Sequence, residues 1–569
     1  MSIVASIVIG FVCLQPSPVS AGLDSLRVVS IEPSPRTLHA TTKADIVIHF
    51  NQPVDRSSVT PQSFWAFGRW SGPVEGDFEF RDGDSTVVLN PTDNFSAGEQ
   101  VMVILSHDLR GSQGDLFRLS GYSFQFWTRA RPSLMQFVQT AVLDTNANLV
   151  ESSRPYGGIA SDLNNDGWLD ITTVNEDTAD VRVFLNAADG VGSFGDFLQP
   201  TNRVNLQASP SEPSDFNRDG NVDLCVANIA VGTISILLGQ GDGTFAPQQE
   251  ITVGAQPRGI AVLDADGDGD IDIVNTNFSN NNLSILFNNG QGVFSSPTFF
   301  EGGANGERSI AAGDMNEDGI MDLVVGTYTS QEVLVLAGLG NGTFSLVSSQ
   351  SAGGSMWMLM LGDVNDDGHE DVAGVNIFDF INDHGTILLG SGTGQLASAT
   401  PYPTDPIPLA TDLCDLDGDG DLDWITSSFN GDWFLFENDG LGNFTLNEEF
   451  LASANASCSL PFDMDNDGDL DLALIDEIAD TIQILINSGQ AVPGDVTGDG
   501  VTDVIDLLDL LAAWGDCFRC ATYLNDDDVV DFFDLLLILA NWSLLKNQTG
   551  DRPRHRPWRP DSSSPTKKK

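Results

Sequence analysis

Between residues 158 and 487 the chain alternates short apolar runs with acidic and Gly-rich ones, in an order that keeps returning. A short apolar run (Gly158-Ile159-Ala160, Gly259-Ile260-Ala261-Val262, Ser309-Ile310-Ala311) leads into an acidic stretch, and a β-branched run leads out of it (Leu169-Asp170-Ile171-Thr172-Thr173-Val174, Ile271-Asp272-Ile273-Val274, Met321-Asp322-Leu323-Val324-Val325). A third, alternating run follows at 181–185, 234–238, 283–287 and 333–336, then a turn such as Gly241-Asp242-Gly243-Thr244-Phe245, then a fourth run. Each cycle predicts four antiparallel strands.

The acidic stretch is one nine-residue pattern, D-x-[DN]-x-D-G-x-x-D, beginning at Asp162, Asp215, Asp264, Asp314, Asp363, Asp415 and Asp463. Four-strand units that recur at intervals of roughly 50 residues predict a radial array of sheets. After the seventh loop only two strands are readable, 470–474 and 482–486, whereas Phe137-Val138-Gln139-Thr140-Ala141-Val142 precedes the first loop with no cycle of its own. An open array would expose two sheet edges, so the N-terminal strand is predicted to complete the last sheet and close a ring.

Oxygen ligands at alternate positions of a tight loop point to one centre, and Gly at position 6 permits the sharp turn; this is the chemistry of a hard divalent cation. The side-chain ligands would be Asp162, Asn164, Asp166 and Asp170; Asp215, Asn217, Asp219 and Asp223; Asp264, Asp266, Asp268 and Asp272; Asp314, Asn316, Asp318 and Asp322; Asp363, Asn365, Asp367 and Asp371; Asp415, Asp417, Asp419 and Asp423; and Asp463, Asp465, Asp467 and Asp471. Position 7 would add a carbonyl. Calcium is preferred over magnesium, which demands octahedral geometry and keeps its waters. The competing explanation is a set of Asx turns in which Asp and Asn cap backbone amides.

The loops, four-strand units and turns such as Gly243-Thr244-Phe245 and Gly342-Thr343-Phe344 resemble FG-GAP/VCBS repeats, the family shared with integrin α-subunit propellers. That resemblance, over residues 132–490, implies a seven-bladed β-propeller. Residues 22–131 hold short strand signals at 26–29, 44–50, 86–89, 101–105 and 124–126 with no helical period. With Phe50-Asn51-Gln52-Pro53-Val54-Asp55 and Leu89-Asn90-Pro91, they resemble a bacterial Ig-like β-sandwich, which implies a spacer. Residues 491–545 contain two similar halves running into Leu-rich helices near Trp514 and Trp542, and resemble a type I dockerin. On that pattern Asp495, Thr497, Asp499, Asp503 and Asp506 would hold calcium in the first half, with the carbonyl of Val501. The second half departs from it, with Tyr523 where the first Asp belongs and Asp528 in place of Gly, although Asn525, Asp527, Asp531 and Asp534 remain. Val504-Ile505 and Phe532-Phe533 would face a cohesin-like or envelope partner, or form the small domain's own core. The fold class is therefore mainly β, a seven-bladed propeller between an Ig-like sandwich and a small α-helical dockerin-like domain.

Composition narrows the partners. Lys+Arg number 25 against 81 Asp+Glu, a net charge of −56, which excludes nucleic acid and anionic membranes as partners of the folded body. Residues 1–21 carry an apolar run from Ile3 to Leu14, then Val19 and Ala21 before Gly22, and read as a signal peptide of a secreted or cell-surface protein; the run is too short to span a bilayer. Beyond Cys13 the cysteines are Cys225, Cys414, Cys458, Cys517 and Cys520, an odd number that makes no disulfide framework. Cys225 and Cys414 read as small buried hydrophobes. Residues 546–569 are a basic tail rich in Pro and Ser.

Three functions fit these modules. The first is a calcium-loaded adhesion or recognition scaffold that binds a glycan or an extracellular protein through the propeller. The second is an extracellular polysaccharide hydrolase or lyase carrying a dockerin, and the third a structural envelope or matrix component. His39, His49, His107, His369, His384 and His555 form no sequence cluster and no G-x-S-x-G occurs, so no catalytic set stands out.

Overall fold

The computed structural model describes residues 25–148, 150–377 and 383–488, and a few positions between 507 and 538. The proposed signal peptide, the basic tail, Cys517, Cys520 and the dockerin-like ligands Asp495, Thr497, Asp499, Asp503 and Asp506 lie outside the described residues. Within the dockerin-like segment, Leu507, Leu508, Leu510 and Leu511 are helical, as are Phe532, Leu535, Leu536 and Ile538.

The N-terminal domain is a sandwich of two four-stranded antiparallel sheets. One runs Val28–Glu32, Ile46–Phe50, Thr86–Pro91, Gly76–Arg81 in spatial order, the other Gly72–Pro73, Phe64–Gly68, Gln100–Leu105, Tyr122–Trp127. Ile46–Phe50 alternates buried and half-buried residues, as a strand with one covered face should. Phe64–Gly68 is buried at every position. Its Phe64 and Ala66 enter the sandwich core with Ile46, Val103 and Phe126, while Trp65 and Phe67 enter a second core with residues of the repeat sheets. Gln100–Leu105 divides in the same way, with Val101 and Val103 in the first core and Met102 and Ile104 in the second. Two cores share these strands, so the domain is packed against the repeats and the spacer expected from the resemblance is corrected.

Residues 137–487 form seven antiparallel sheets, six of four strands and the first of five, because its opening strand is broken into Pro155–Gly157 and Ala160–Ser161. Each second strand begins on the last Asp of a loop: Asp170–Asn175, Asp223–Asn228, Asp272–Asn277, Asp322–Thr327, Asp371–Ile377, Asp423–Ser428 and Asp471–Asp476. All seven are buried along their whole length. Third strands such as Thr233–Leu237 are continuously buried too, where the sequence pattern predicts alternation. The reason is face-to-face stacking: each hydrophobic cluster joins consecutive sheets, as where Leu263 and Ile285 of the third meet Leu323 and Leu334 of the fourth. Fourth strands such as Gln249–Thr252 do alternate, since only one face is covered.

The first strands touch one another in a cycle that returns from the seventh sheet to the first. Phe137–Asp144 is the fourth strand of the seventh sheet, running antiparallel to Thr481–Asn487 with Phe137 opposite Asn487 and Asp144 opposite Thr481. This is the closing strand expected from the sequence. Cys225 and Cys414 are buried free thiols and Cys458 is a half-buried one.

Candidate functional site

All seven acidic loops adopt one geometry. The amide of the position-6 Gly donates to the first Asp in every loop, at distances from 2.7 Å for Gly368 to Asp363 to 3.2 Å for Gly420 to Asp415. The amide at position 7 donates to the Asp at position 5 in every loop. The position-6 Gly has positive φ throughout, from 74° at Gly319 to 97° at Gly420 and Gly468. Position 4 is also left-handed, and there the sequence supplies glycine only at Gly267 and Gly418; Asn165, Arg218, Glu317, Asp366 and Asn466 take that conformation as well. These Asx-type bonds satisfy one lone pair of each oxygen they reach and leave others for a cation, so they coexist with metal binding.

The Asp at position 9 has a second task. Its Oδ1 accepts from a backbone amide at the end of the third strand or just after it in all seven sheets, as from Gly239 to Asp223 at 2.7 Å and Asn438 to Asp423 at 3.1 Å. In six of the seven its Oδ2 accepts from the amide at position 2, as from Leu416 to Asp423 at 3.0 Å; Asp322 is the exception, since the amide of Met315 donates to the carbonyl of Gly313 instead. Position 9 thus ties loop, second strand and turn together, whether or not it also ligates a metal.

The loops are cups with a buried base. Asp170, Asp223, Asp322, Asp371 and Asp471 are fully buried, whereas Asp166, Asp219, Asp318, Asp367 and Asp419 stand exposed at the rim. Desolvation pushes Asp223, Asp371 and Asp471 up to about 8 and Asp170 and Asp322 to about 7, with neighbouring loop carboxylates adding to the effect. Asp272 and Asp423 lie well above the ordinary carboxylate range for the same reasons. In three loops the carboxylate oxygens converge within 4.8 Å: Asp264, Asp266 and Asp272; Asp415, Asp417 and Asp423; Asp463, Asp465 and Asp471. These are the loops with Asp at position 3. Buried Asp415 Oδ1 and Asp322 Oδ2 have no hydrogen-bond partner. An all-oxygen donor set with orphaned buried carboxylate oxygens fits a hard cation such as calcium.

The sandwich and its connecting segment reach all seven loops. The backbone amide of Asp162 donates to the carbonyl of Trp70 at 2.9 Å, and Arg218 donates to the carbonyl of Gln62 at 2.8 Å. The Trp65 indole donates to the carbonyl of Gly269 at 3.0 Å, and the amide of Ser123 to Gly319 at 3.0 Å. Arg36 Nε reaches the carbonyl of Gly368 at 2.6 Å, and the amides of Ser133 and Arg131 reach Asp417 and Gly468, each at 2.7 Å. Arg131 also pairs with Asp467 at 3.3 Å and Asp469 at 3.5 Å. Gly319 is required by proximity as well as by φ, because a Cβ there would enter the Tyr122 ring.

Between the seven first strands lies a central cavity of about 260 Å³, and side chains of the sandwich, among them Phe67, Arg69, Trp70 and Trp127, also line it. Arg69 pairs with Glu212 of the second sheet at 2.8 Å and is stabilised as a cation by Glu212 and Asp412. Asp412 in turn accepts from the Ser459 hydroxyl at 2.6 Å. Sequence reading missed this ion pair, because Arg69 and Glu212 meet only through tertiary packing. It also missed a fourth acidic cluster, Asp405, Asp432 and Glu449 on the sixth sheet, whose members belong to no common motif.

Comparison with known proteins agrees with this anatomy. The family described as FG-GAP-like repeat matches residues 215–275, 264–325, 314–374 and 415–474, each match opening on the first Asp of a loop, and the family described as bacterial Ig-like domain matches residues 24–128. No curated protein matches the chain. Among solved structures, BBS1N in complex with ARL6DN is 14% identical over 63% of this chain and 98% of that one, with a TM-score of 0.44. A catalytically inactive virginiamycin B lyase from Staphylococcus aureus, solved with Quinupristin, is 16% identical over 61% of this chain and 98% of that one, with a TM-score of 0.39. A Lactobacillus plantarum protein is 12% identical over 70% and 98%, with a TM-score of 0.41. At such identities and scores none of them bears on what this chain binds. The chain carries FG-GAP-like repeats and a bacterial Ig-like domain, joined across the acidic loops.

Proposed function

We propose that this protein is a secreted, calcium-loaded, non-catalytic recognition scaffold in which the seven sheets are the blades of one closed propeller. Residues 1–21 serve as its signal peptide, and residues 491–545 as a dockerin-like device that attaches it to a cohesin-like or envelope partner. The observation that carries the reading is the sevenfold recurrence of one oxygen-lined cup, three copies of which bring three carboxylates within 4.8 Å of one another. When bound, calcium supplies the positive charge that these buried carboxylates lack. Asp-1 and Asp-9 then form the base of each site, Asx-3 and Asp-5 its rim, and the backbone bonds to the same carboxylates hold the loop in the liganded shape. Modules of this kind function outside cells with calcium affinities of about 10⁻⁴ to 10⁻³ M, so occupancy is constitutive there.

Thermal unfolding of the full chain tests this. A ligand that binds only the folded state at a hundredfold excess over its dissociation constant adds about 2.7 kcal/mol per site. Calcium is therefore expected to raise Tm on the order of 10 °C over chelator, through several sites acting together. An unchanged Tm would sink the calcium reading.

A further inference from the structure

The end of the ring away from the loops has a different chemistry. Six residues ahead of the first Asp of each loop, the first strands place one equivalent residue each at the central cavity: Tyr156, Ser209, Arg258, Arg308, Trp357, Leu409 and Ser457. At about 3.3 Å per residue this ring lies some 20 Å from the loop face. Arg308 is 5% exposed and its guanidinium lies over the Trp357 ring, 3.2 Å from the centroid. The Trp357 indole donates to the Tyr156 hydroxyl at 2.9 Å. Tyr328 packs edge-on against Trp357 with centroids 6.0 Å apart, and Phe278 does the same against Tyr328 at 6.0 Å, which extends an aromatic row outward from the arginines.

Neither arginine has an acidic partner of its own. The Nε atoms of Arg258 and Arg308 are buried without a hydrogen bond, and among the described residues neither guanidinium makes an ion pair. Glu176, whose field reaches Arg258, and Glu477, whose field reaches Tyr156, are both engaged by Arg154, the former at 3.5 Å. Burial, and then the charge of Arg258, push Arg308 down to about 9. The opposite end of the same cavity is unlike this: Arg69 there has Glu212 and Asp412. In a chain with 81 acidic residues, a buried Arg308 and a half-buried Arg258 that make no ion pair mark a place for an anion from outside.

We propose that this mouth binds the terminal unit of an acidic carbohydrate, a sugar ring bearing a carboxylate or a sulfate ester, with Arg258 and Arg308 on the anion and Trp357 and Tyr328 against the ring. The guanidinium fork matches planar carboxylate and sulfate oxygens, and the aromatic row offers the flat, partly apolar surface that a sugar face needs. The half-buried Tyr156, whose hydroxyl accepts from Trp357, supplies a partner for a sugar hydroxyl. At about 260 Å³ the cavity is slightly below the roughly 300–1,000 Å³ of drug-sized ligand sites, which suits one terminal unit and not the interior of a polymer. The inference rests on the scaffold reading and names the class of ligand that scaffold takes.

The test is calorimetric titration of the calcium-loaded full chain with an oligogalacturonide, a sulfated oligosaccharide, a neutral oligosaccharide of equal length, and inorganic sulfate. One acidic saccharide is expected to bind at least about tenfold more tightly than the neutral one and than inorganic sulfate, and which of the two binds identifies the anion. Arg308→Gln and Arg258→Gln should each weaken it about tenfold or more, and Tyr328→Ala, at a half-exposed position that tolerates truncation, about three- to tenfold. Equal binding of the neutral saccharide, equal binding of bare sulfate, or no binding by a protein that keeps its calcium-dependent Tm each overturns the proposal. Loss of the calcium-dependent Tm itself counts against the scaffold reading instead.

Discussion

The two ends of the ring share their strands and differ in almost everything else. At the loop end every sheet repeats one acidic cup, and the sandwich covers it with hydrogen bonds from Trp65, Ser123, Arg131 and Ser133 to loop carbonyls. At the far end the equivalent positions are occupied by Tyr156, Arg258, Arg308 and Trp357, which have no common chemistry. Uniform positions answer a need common to every sheet, whereas divergent ones answer a need of the whole ring. The covered end is therefore where the fold is held, and on our proposal the divergent end is where a ligand is read.

The largest effect that would test this division comes from the interface. Trp65→Ala removes a buried indole shared with the repeat core and its bond to Gly269, and should cost about 3–5 kcal/mol. Urea unfolding is expected to split into separate sandwich and ring transitions while saccharide binding at the far mouth is unaltered. A single transition with reduced saccharide binding would mean that the two ends are not independent.

Loop variants sharpen the comparison next. Asp423→Ala strands the amides of Leu416 and Asn438 and is expected to cost about 3 kcal/mol already in chelator, and more in calcium, where a ligand is lost as well. Asp419→Ala, at the exposed rim, should lower Tm only in calcium. Equal behaviour of the two variants in chelator would refute the assignment of a backbone-holding role to position 9.

The last test varies pH. The folded-state pKa values of Asp170, Asp223, Asp371 and Asp471 are raised from 3.8 to about 7 or 8, so between these limits the folded chain binds more protons than the unfolded one. Their contribution is present at low pH and is lost as pH rises through those values. In chelator, Tm should fall from pH 5 to pH 8; in calcium the fall should vanish, because the metal takes the place of the protons. A chelator Tm that rises over that interval would contradict the burial of these carboxylates.

Much of the loop end was legible in the sequence because it is written seven times. The start of each loop, the strand leaving it and the closing strand at Phe137–Asp144 all follow from the period and from the strand the last unit lacks. What the pattern concealed has physical causes. Phe64–Gly68 shows no alternation because two cores share it, and the third strands show none because neighbouring sheets cover both their faces. The sandwich could not be recognised as a cover, since the groups it contacts are mostly backbone carbonyls, which leave no mark on composition. The arginine mouth was readable only by aligning the repeats and inspecting the residue six places before each loop, where Arg258 and Arg308 depart from the others.

The closing strand pair also has a mechanical consequence. Phe137 lies opposite Asn487, so the chain enters and leaves the ring at the same end of one antiparallel ladder. A pull between residues 137 and 487 loads that ladder as a zipper, one hydrogen-bonded pair at a time, and not in shear across all of them. The bonds from Arg131 to Gly468 and from Ser133 to Asp417 stand immediately ahead of the first pair. Tension arriving from the N-terminal side therefore meets the docked sandwich before it reaches the seam, which makes the interdomain contact the strain relief of the ring.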